Sequence, residues 1–318
     1  MKKIFYLLPV LLVLFVFQSC EDNDDPAILE VQTIADLASA SPNLSSLVSA
    51  LQRADLVTAL EGNGPFTVLA PDNDAFDAFL AANNFDALED VPVDVLTQVL
   101  LNHVIAGSFE STQLSTGYVS TSATSAASGT PMSIYIDTSN GVTFNGISTV
   151  TNPNINADNG VIHIVDAVIG LPTVVDFALA DPNFSTLVAA LTRDDLTTDF
   201  VSILSTSTGT APAPFTVFAP INQAFTDLLE ELDLTMLSEI DEPTLNATLT
   251  YHVVGETNVL ASGLSDNFTV PTLGGDITAN VTGGPTLTDS NGRVSNIIAT
   301  NVQANNGVIH AIDKVILP

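Results

Sequence analysis

The chain repeats itself. Phe66-Thr67-Val68-Leu69-Ala70-Pro71 returns as Phe215-Thr216-Val217-Phe218-Ala219-Pro220, 149 residues on. His103 returns as His252 at the same interval, and Asn159-Gly160-Val161-Ile162-His163 returns as Asn306-Gly307-Val308-Ile309-His310, 147 residues on. Upstream, Pro42-Asn43-Leu44-Ser45 returns as Pro182-Asn183-Phe184-Ser185 after only 140. The interval therefore grows by nine residues between Leu191 and Phe215. The Ser/Thr/Gly/Pro-rich run from Ser205 to Pro214 predicts a loop insertion there. Stacked solenoid repeats recur every ~20–50 residues, so a period this long is a duplicated domain with a core in each copy. Leu171-Pro172 closes the first copy and Thr173 opens the second. A linker that short restricts their relative orientation.

Within a copy, helices come first. Leu44, Leu47, Val48 and Leu51 follow the i, i+3, i+4, i+7 spacing of a buried helix face, and Phe184, Leu187, Val188 and Leu191 repeat it. Asn43 and Asn183 are the predicted N-caps, since an Asn side-chain oxygen accepts the free amides of a first turn. Phe66–Ala70 reads as an apolar strand stopped by Pro71. A helix should follow with Ala75, Phe76, Phe79 and Leu80 inward, matched by Ala224, Phe225, Leu228 and Leu229. Asp72 or Asn73, and Asn222, are its candidate caps. Another helix carries Leu96, Val99 and Leu100 into His103; its counterpart starts at Pro243 and ends in Tyr251-His252. The rest reads as strand: Ser133–Thr138, Val142–Asn145, Phe268–Leu273 and Asp276–Thr282 are rich in β-branched or aromatic residues between turn residues. Asn159-Gly160 and Asn306-Gly307 are turn signals preceding strands that hold His163 and His310. A strand, helices, then a run of strands predicts an α+β fold.

The N-terminus carries export signals. Lys2 and Lys3 precede an unbroken apolar run from Ile4 to Phe17, too short for the ~20 apolar residues of a membrane span but suited to a signal peptide. The chain's single cysteine, Cys20, follows at once. It stands where a bacterial lipoprotein signal is cut and acylated, although Phe17 occupies the position where such signals usually carry Leu. The other reading is an ordinary secretory signal with an incidental cysteine. Either way, no disulfide forms within the chain. Glu21-Asp22-Asn23-Asp24-Asp25-Pro26 is an acidic tether. It also resembles the signal that sends some Bacteroidetes lipoproteins to the outer cell surface. The expected organisation is a signal peptide over 1–19, a lipidated tether over 20–30, and domains over 31–172 and 173–318.

Six basic residues face 36 acidic ones, a net charge of −30. Phosphate backbones repel such a chain, so nucleic acid is not an expected partner. Anionic lipid headgroups are disfavoured as well, so any hold on a membrane falls to the lipid anchor.

All four histidines form repeat-equivalent pairs. His163 shares a strand face with valine, as does His310, which predicts a half-buried ring bonded to a backbone group; ligand contact, and then metal binding or catalysis, are the competing readings. No second metal ligand stands at a familiar spacing. There is no Gly-x-Ser-x-Gly elbow and no phosphate-cradling Gly motif, and the scattered acids single out no catalytic pair. Asp72-Asn73-Asp74 lacks the later Gly and Glu of a calcium loop. The expectation is no catalytic residue, no metal and no cofactor.

The Phe-Thr-Val-(Leu/Phe)-Ala-Pro-x-Asn-x-Ala-Phe segment, the His after the central helix and the closing Asn-Gly-Val-Ile-His strand occur in order twice. This resembles the fasciclin-like domain family over about residues 31–172 and 173–318. The resemblance implies two tandem α+β domains, each a wedge of β-strands against several helices, in a cell-surface or matrix adhesion protein. Family members often carry Tyr-His after the central helix; here the second copy has Tyr251-His252 and the first Asn102-His103. Animal matrix members carry an Asp-Ile pair before the closing strand that has been linked to integrin binding. The matching positions are Asn154-Ile155 and Asn301-Val302, without the acid. The resemblance thus marks His103, His163, Tyr251, His252, His310 and these two pairs as candidate binding residues, with structural roles as the favoured reading. The expected function is a non-enzymatic surface lipoprotein for adhesion or matrix and biofilm contact, anchored in the outer membrane. Its implied ligand is a polysaccharide, a matrix protein or a cell-surface protein. The alternative is a carbohydrate- or small-molecule-binding lipoprotein serving nutrient uptake.

Overall fold

Each copy opens with a helix that caps itself. In α1 (Ile34–Ala40) the Thr33 hydroxyl accepts the Asp36 amide, and the Asp36 carboxylate accepts the Thr33 amide. In α6 (Val174–Ala180), Thr173 and Asp176 repeat this reciprocal pair. The computed structural model describes residues 32–318, and these form one compact unit. The signal peptide, Cys20, the tether and residue 31 lie outside the described residues.

The next helices, α2 (Ser45–Arg53) and α7 (Ser185–Leu191), bury Leu47 and Leu51, and Leu187, as their spacing predicts; Leu191 is only half-buried. Their caps are a correction. Asn43 and Asn183 sit inside single 3-10 turns and cap neither helix. The cap comes from afar: Asn73 Oδ1 accepts the Ser46 amide at 2.9 Å, and Asn222 Oδ1 accepts the Thr186 amide at 2.8 Å. Each of these Asn side chains also donates to the carbonyl of Pro42 or Pro182, so α2 and α7 are clamped to the helices that Asn73 and Asn222 begin. After the short α3 (Val57–Glu61) and the strand β1 (Phe66–Pro71), Asp72 caps α4 (Asn73–Ala82) through the Ala75 amide. Asn222 does not cap its own helix, since its side chain is already committed to α7.

The first copy continues with α5 (Val93–Asn102), β2 (Val104–Ala106), β3 (Gly117–Thr124), β4 (Pro131–Asp137), β5 (Thr143–Phe144), β6 (Ser148–Ala157) and β7 (Gly160–Val165). After α6 and α7, the second copy holds α8 (Phe200–Leu204), β8 (Phe215–Pro220), α9 (Asn222–Glu231), α10 (Glu242–Tyr251) and β9 (Val253–Val254). It ends in β10 (Phe268–Thr272), β11 (Gly275–Asn280), β12 (Thr286–Thr288), β13 (Val294–Gln303) and β14 (Gly307–Ile312). The two sheets have the same topology: β2-β1-β7-β6-β5-β4-β3, and β9-β8-β14-β13-β12-β11-β10. The α+β, tandem-domain reading holds. In both sheets the apolar strand lies between an antiparallel neighbour and the parallel last strand, with Leu69 opposite His163 and Phe218 opposite His310.

These central strands are buried on both faces. Val68 and Ala70 meet the helices, whereas Leu69 faces a second cluster with Ile105, Ile134, Ile136, Phe144 and Val165. That second cluster exists because the sheet curls until β3 packs on β2. Register shifts in β6 around Asn152–Ile155, and in β13 around Ala299–Val302, are the bulges that bend it.

The nine-residue insertion divides. Asn159 donates to the carbonyls of Leu60 and Gly62, and Asn306 donates to those of Leu204 and Thr206. Leu204 therefore answers to Leu60, and four of the extra residues precede α8 while five follow it. The expected loop at Ser205–Pro214 holds only the second part.

The copies share a seam. Tyr135 of β4 joins the core of the second copy, and Tyr118 of β3 packs there too, 4.9 Å from Tyr135 and edge-on to Phe177 at 5.5 Å between ring centres. The Gln303 side chain is buried: its amide nitrogen lies within hydrogen-bond reach of Ser125 Oγ, Asn258 Oδ1 and the carbonyls of Ala304 and Gly307, its oxygen accepts from Asn258, and its backbone amide donates across the seam to Ser133. Burial and the neighbouring Asp181 carboxylate push both phenols up, Tyr135 to about 12.

Candidate functional site

The four histidines are internal ties. His103 ends α5, its Nδ1 donating back to the Val99 carbonyl at 2.7 Å while Nε2 accepts the Ile169 amide at 2.9 Å. Its own carbonyl accepts the Leu69 amide, so one residue joins the central helix, the central strand and the segment after β7. His252 does the same with Thr248, Ile316 and Phe218. A carbonyl at one nitrogen and an amide at the other leave room for one ring proton. Burial lowers both rings to about 4, against the backbone hydrogen bond that raises them.

His163 and His310 are fully buried, deeper than the half-buried placement read from the strand pattern. His163 Nε2 donates to the Phe109 carbonyl at 2.9 Å, and Nδ1 accepts the Asn154 amide at 3.2 Å. His310 Nε2 donates to the Val259 carbonyl, but its Nδ1 is buried without a partner. Phe218 stacks on that ring at 5.7 Å, where the first copy has Leu69. Desolvation lowers both rings here too.

Asn154 and Asn301 occupy the bulges with φ of 62° and 59°, a left-handed conformation that Asn tolerates better than most residues. Asn154 Oδ1 accepts the Ser111 amide and Asn301 Oδ1 accepts the Ala261 amide, each at 2.8 Å, latching the loop after β2 or β9. The next residues point inward: Ile155 packs on the helical core and Val302 is buried. The pair positions matched through the Asp-Ile motif are therefore a latch followed by a core residue.

Tyr251 is buried beside His252, its hydroxyl donating to the Asp276 carbonyl and accepting the Ser290 amide. Gly274 allows this, because a Cβ there would stand 2.7 Å from the Tyr251 nitrogen. In the first copy Asn102 ties Gly170 and Thr121 instead.

The two turn signals, Asn159-Gly160 and Asn306-Gly307, are also structural hubs. Asn159 also accepts the Ile34 amide, and Asn306 the Val174 amide, so each fastens the first helix, the short third helix and the closing hairpin. Gly160 and Gly307 admit the central strand, where a Cβ would lie 2.0 Å from the Phe66 oxygen or 2.5 Å from the Phe215 oxygen. The signal was present in the repetition of the asparagine itself. Gln303 and Tyr118 carried no such signal. Among the described residues, no three His, Cys, Asp or Glu side chains gather as metal ligands would. No single described helix is long and apolar enough to cross a membrane.

Comparison with known proteins agrees with this architecture. The sequence matches the Fasciclin domain family over residues 42–172 and again over 182–318. Protein sll1483 of Synechocystis sp. is 36% identical over 137 residues, 43% of this chain and 72% of that protein. Human periostin is 28% identical over 264 residues, which cover 81% of this chain but only 29% of periostin. The solved structure of a FAS1 domain pair from the insect cell adhesion molecule fasciclin I superposes with a TM-score of 0.52 at 18% identity, covering 87% of this chain and 97% of that one.

Proposed function

The chain belongs to the fasciclin domain family, and from that membership we propose that it is a surface lipoprotein for adhesion. Fasciclin domains are associated with cell adhesion and extracellular-matrix proteins, and the family is generally non-enzymatic. On this reading the chain is exported, acylated at Cys20, held in the outer membrane and displayed on the cell surface. It then binds a matrix polysaccharide or a matrix or cell-surface protein through the outer faces of its two domains. The observation that carries the reading is the seam: Tyr118, Tyr135 and Gln303 join two copies of one domain into one body. Two contact faces are thereby held at a fixed spacing, which strengthens attachment without any new contact. The histidines and asparagines singled out by the family motifs serve the interior on this account, not the ligand. Deleting the gene should reduce attachment to surfaces or biofilm. Wild-type complementation should restore it, and Cys20→Ser should not. Unchanged attachment in the deletion strain would reject the proposal.

A further inference from the structure

The second copy contains an apolar cleft. It opens between α6, α7 and α8, with Val217, Ala219 and Ile309 of the sheet as its floor, and has a volume of about 110 Å³. Thr192 is the only polar side chain in its wall.

The cleft reflects differences between the copies. Leu51 is buried in the first copy, while its counterpart Leu191 is half-buried at the cleft wall. The four residues inserted before α8 lengthen the span between α7 and α8. At the rim, Leu179 is 62% exposed where the first copy has Ser39, and Val201 is 38% exposed where Val57 is half-buried. A lone exposed leucine means little. Here two exposed apolar side chains border a recess that is itself apolar.

The charges around it narrow the ligand. Arg193, next to Thr192, is occupied by the Asp195 carboxylate and by the carbonyls of Leu237 and Ile240. It has no open face for a carboxylate or phosphate head. Asp176 on α6 and Asp194 after α7 add negative charge in the flanking sequence, whereas Asp195 is neutralised by Arg193. We propose that this cleft binds an uncharged apolar small molecule, a hydrocarbon chain or ring without an anionic head. The site does not depend on the adhesive reading, and its ligand is captured by removal of apolar surface from water.

Two dyes of one skeleton test it on the full chain. N-phenyl-1-naphthylamine is uncharged, and 1-anilinonaphthalene-8-sulfonate adds a sulfonate. The uncharged dye should bind saturably, one per chain, and at least tenfold more tightly than the sulfonate. Leu179→Glu with Val201→Glu should weaken it at least tenfold while thermal unfolding stays unchanged, since both side chains are exposed. The difference between the two proteins isolates this cleft from any other apolar segment. Leu179→Lys, a single exposed change, should improve sulfonate binding. No saturable binding, equal affinity for the two dyes, or undiminished binding in the Glu variant would each overturn the proposal.

Discussion

His163 accepts the backbone amide of Asn154 across the bulge in β6, whereas the matching nitrogen of His310 accepts nothing. The two rings occupy equivalent strand positions but contribute unequally. Replacing His163 strands both the Phe109 carbonyl and the Asn154 amide; replacing His310 strands one carbonyl. An unsatisfied buried group costs about 1–3 kcal/mol. We expect His163→Ala to destabilise by about 1 kcal/mol more than His310→Ala, read from urea unfolding at pH 7.5. Equal losses would contradict the hydrogen-bond assignment.

Acid should act through His103 and His252. Their folded-state values, about 4, lie below the ordinary 6.5, so folding favours the neutral ring. The stability they contribute is complete above about pH 6.5 and is lost as pH falls toward 4. From pH 7.5 to 4.5 the loss is roughly 2–3 kcal/mol per histidine. His163 and His310 shift in the same direction. Relief of self-repulsion in a chain of net charge −30 opposes this trend, so the measurement is a difference between proteins. The unfolding free energy of His252→Gln should fall less between those pH values than that of the wild type. Parallel curves would refute the role given to the buried ring.

The distant caps make a contrast. Asn73→Ala and Asn222→Ala should each cost about 1 kcal/mol, the usual value of a lost N-cap. Asn43→Ala should cost a few tenths at most, because Asn43 caps nothing. Chemical denaturation of the three variants side by side checks this, and a cost at Asn43 matching that at Asn73 would restore the local cap.

The seam predicts how the molecule melts. With Tyr118, Tyr135 and Gln303 in place, the copies should unfold in one calorimetric transition. Tyr118→Ala with Gln303→Leu removes the edge-on contact to Phe177 and the side-chain hydrogen bond to Ser125. We expect the transition to split in two, each copy retaining its own core. A single transition in the variant would mean that the remaining contacts, Tyr135 and the Gln303 amide on Ser133, suffice to couple the copies.

What was legible in the sequence follows from how far each requirement reaches. The Phe-Thr-Val strand, the paired histidines and the Asn-Gly turns stand out because each copy needs the same residue at the same place. Amphipathic spacing placed the buried faces of α2, α4 and α5, since a helix face is a local property. The caps were misread because Asn73 serves an amide 27 residues away. The Ser/Thr-rich β3 and the Asn-rich β6 and β13 were not read as strands, because their exposed positions dilute the alternation that marks a sheet. The seam was invisible for another reason: its residues face the other copy and therefore have no counterpart in the repeat.

The parallel pairing of the first strand with the last sets a timetable. Phe66 lies beside Gly160, and Phe215 beside Gly307, partners about ninety residues apart. A chain emerging from a ribosome or an export channel cannot complete either sheet until its final strand has cleared the exit. Until then a strongly apolar edge waits unpaired, which slows assembly and invites wrong partners. Each half should therefore mature in one late step, and holding factors that shield Phe66–Pro71 and Phe215–Pro220 during transit would govern its yield.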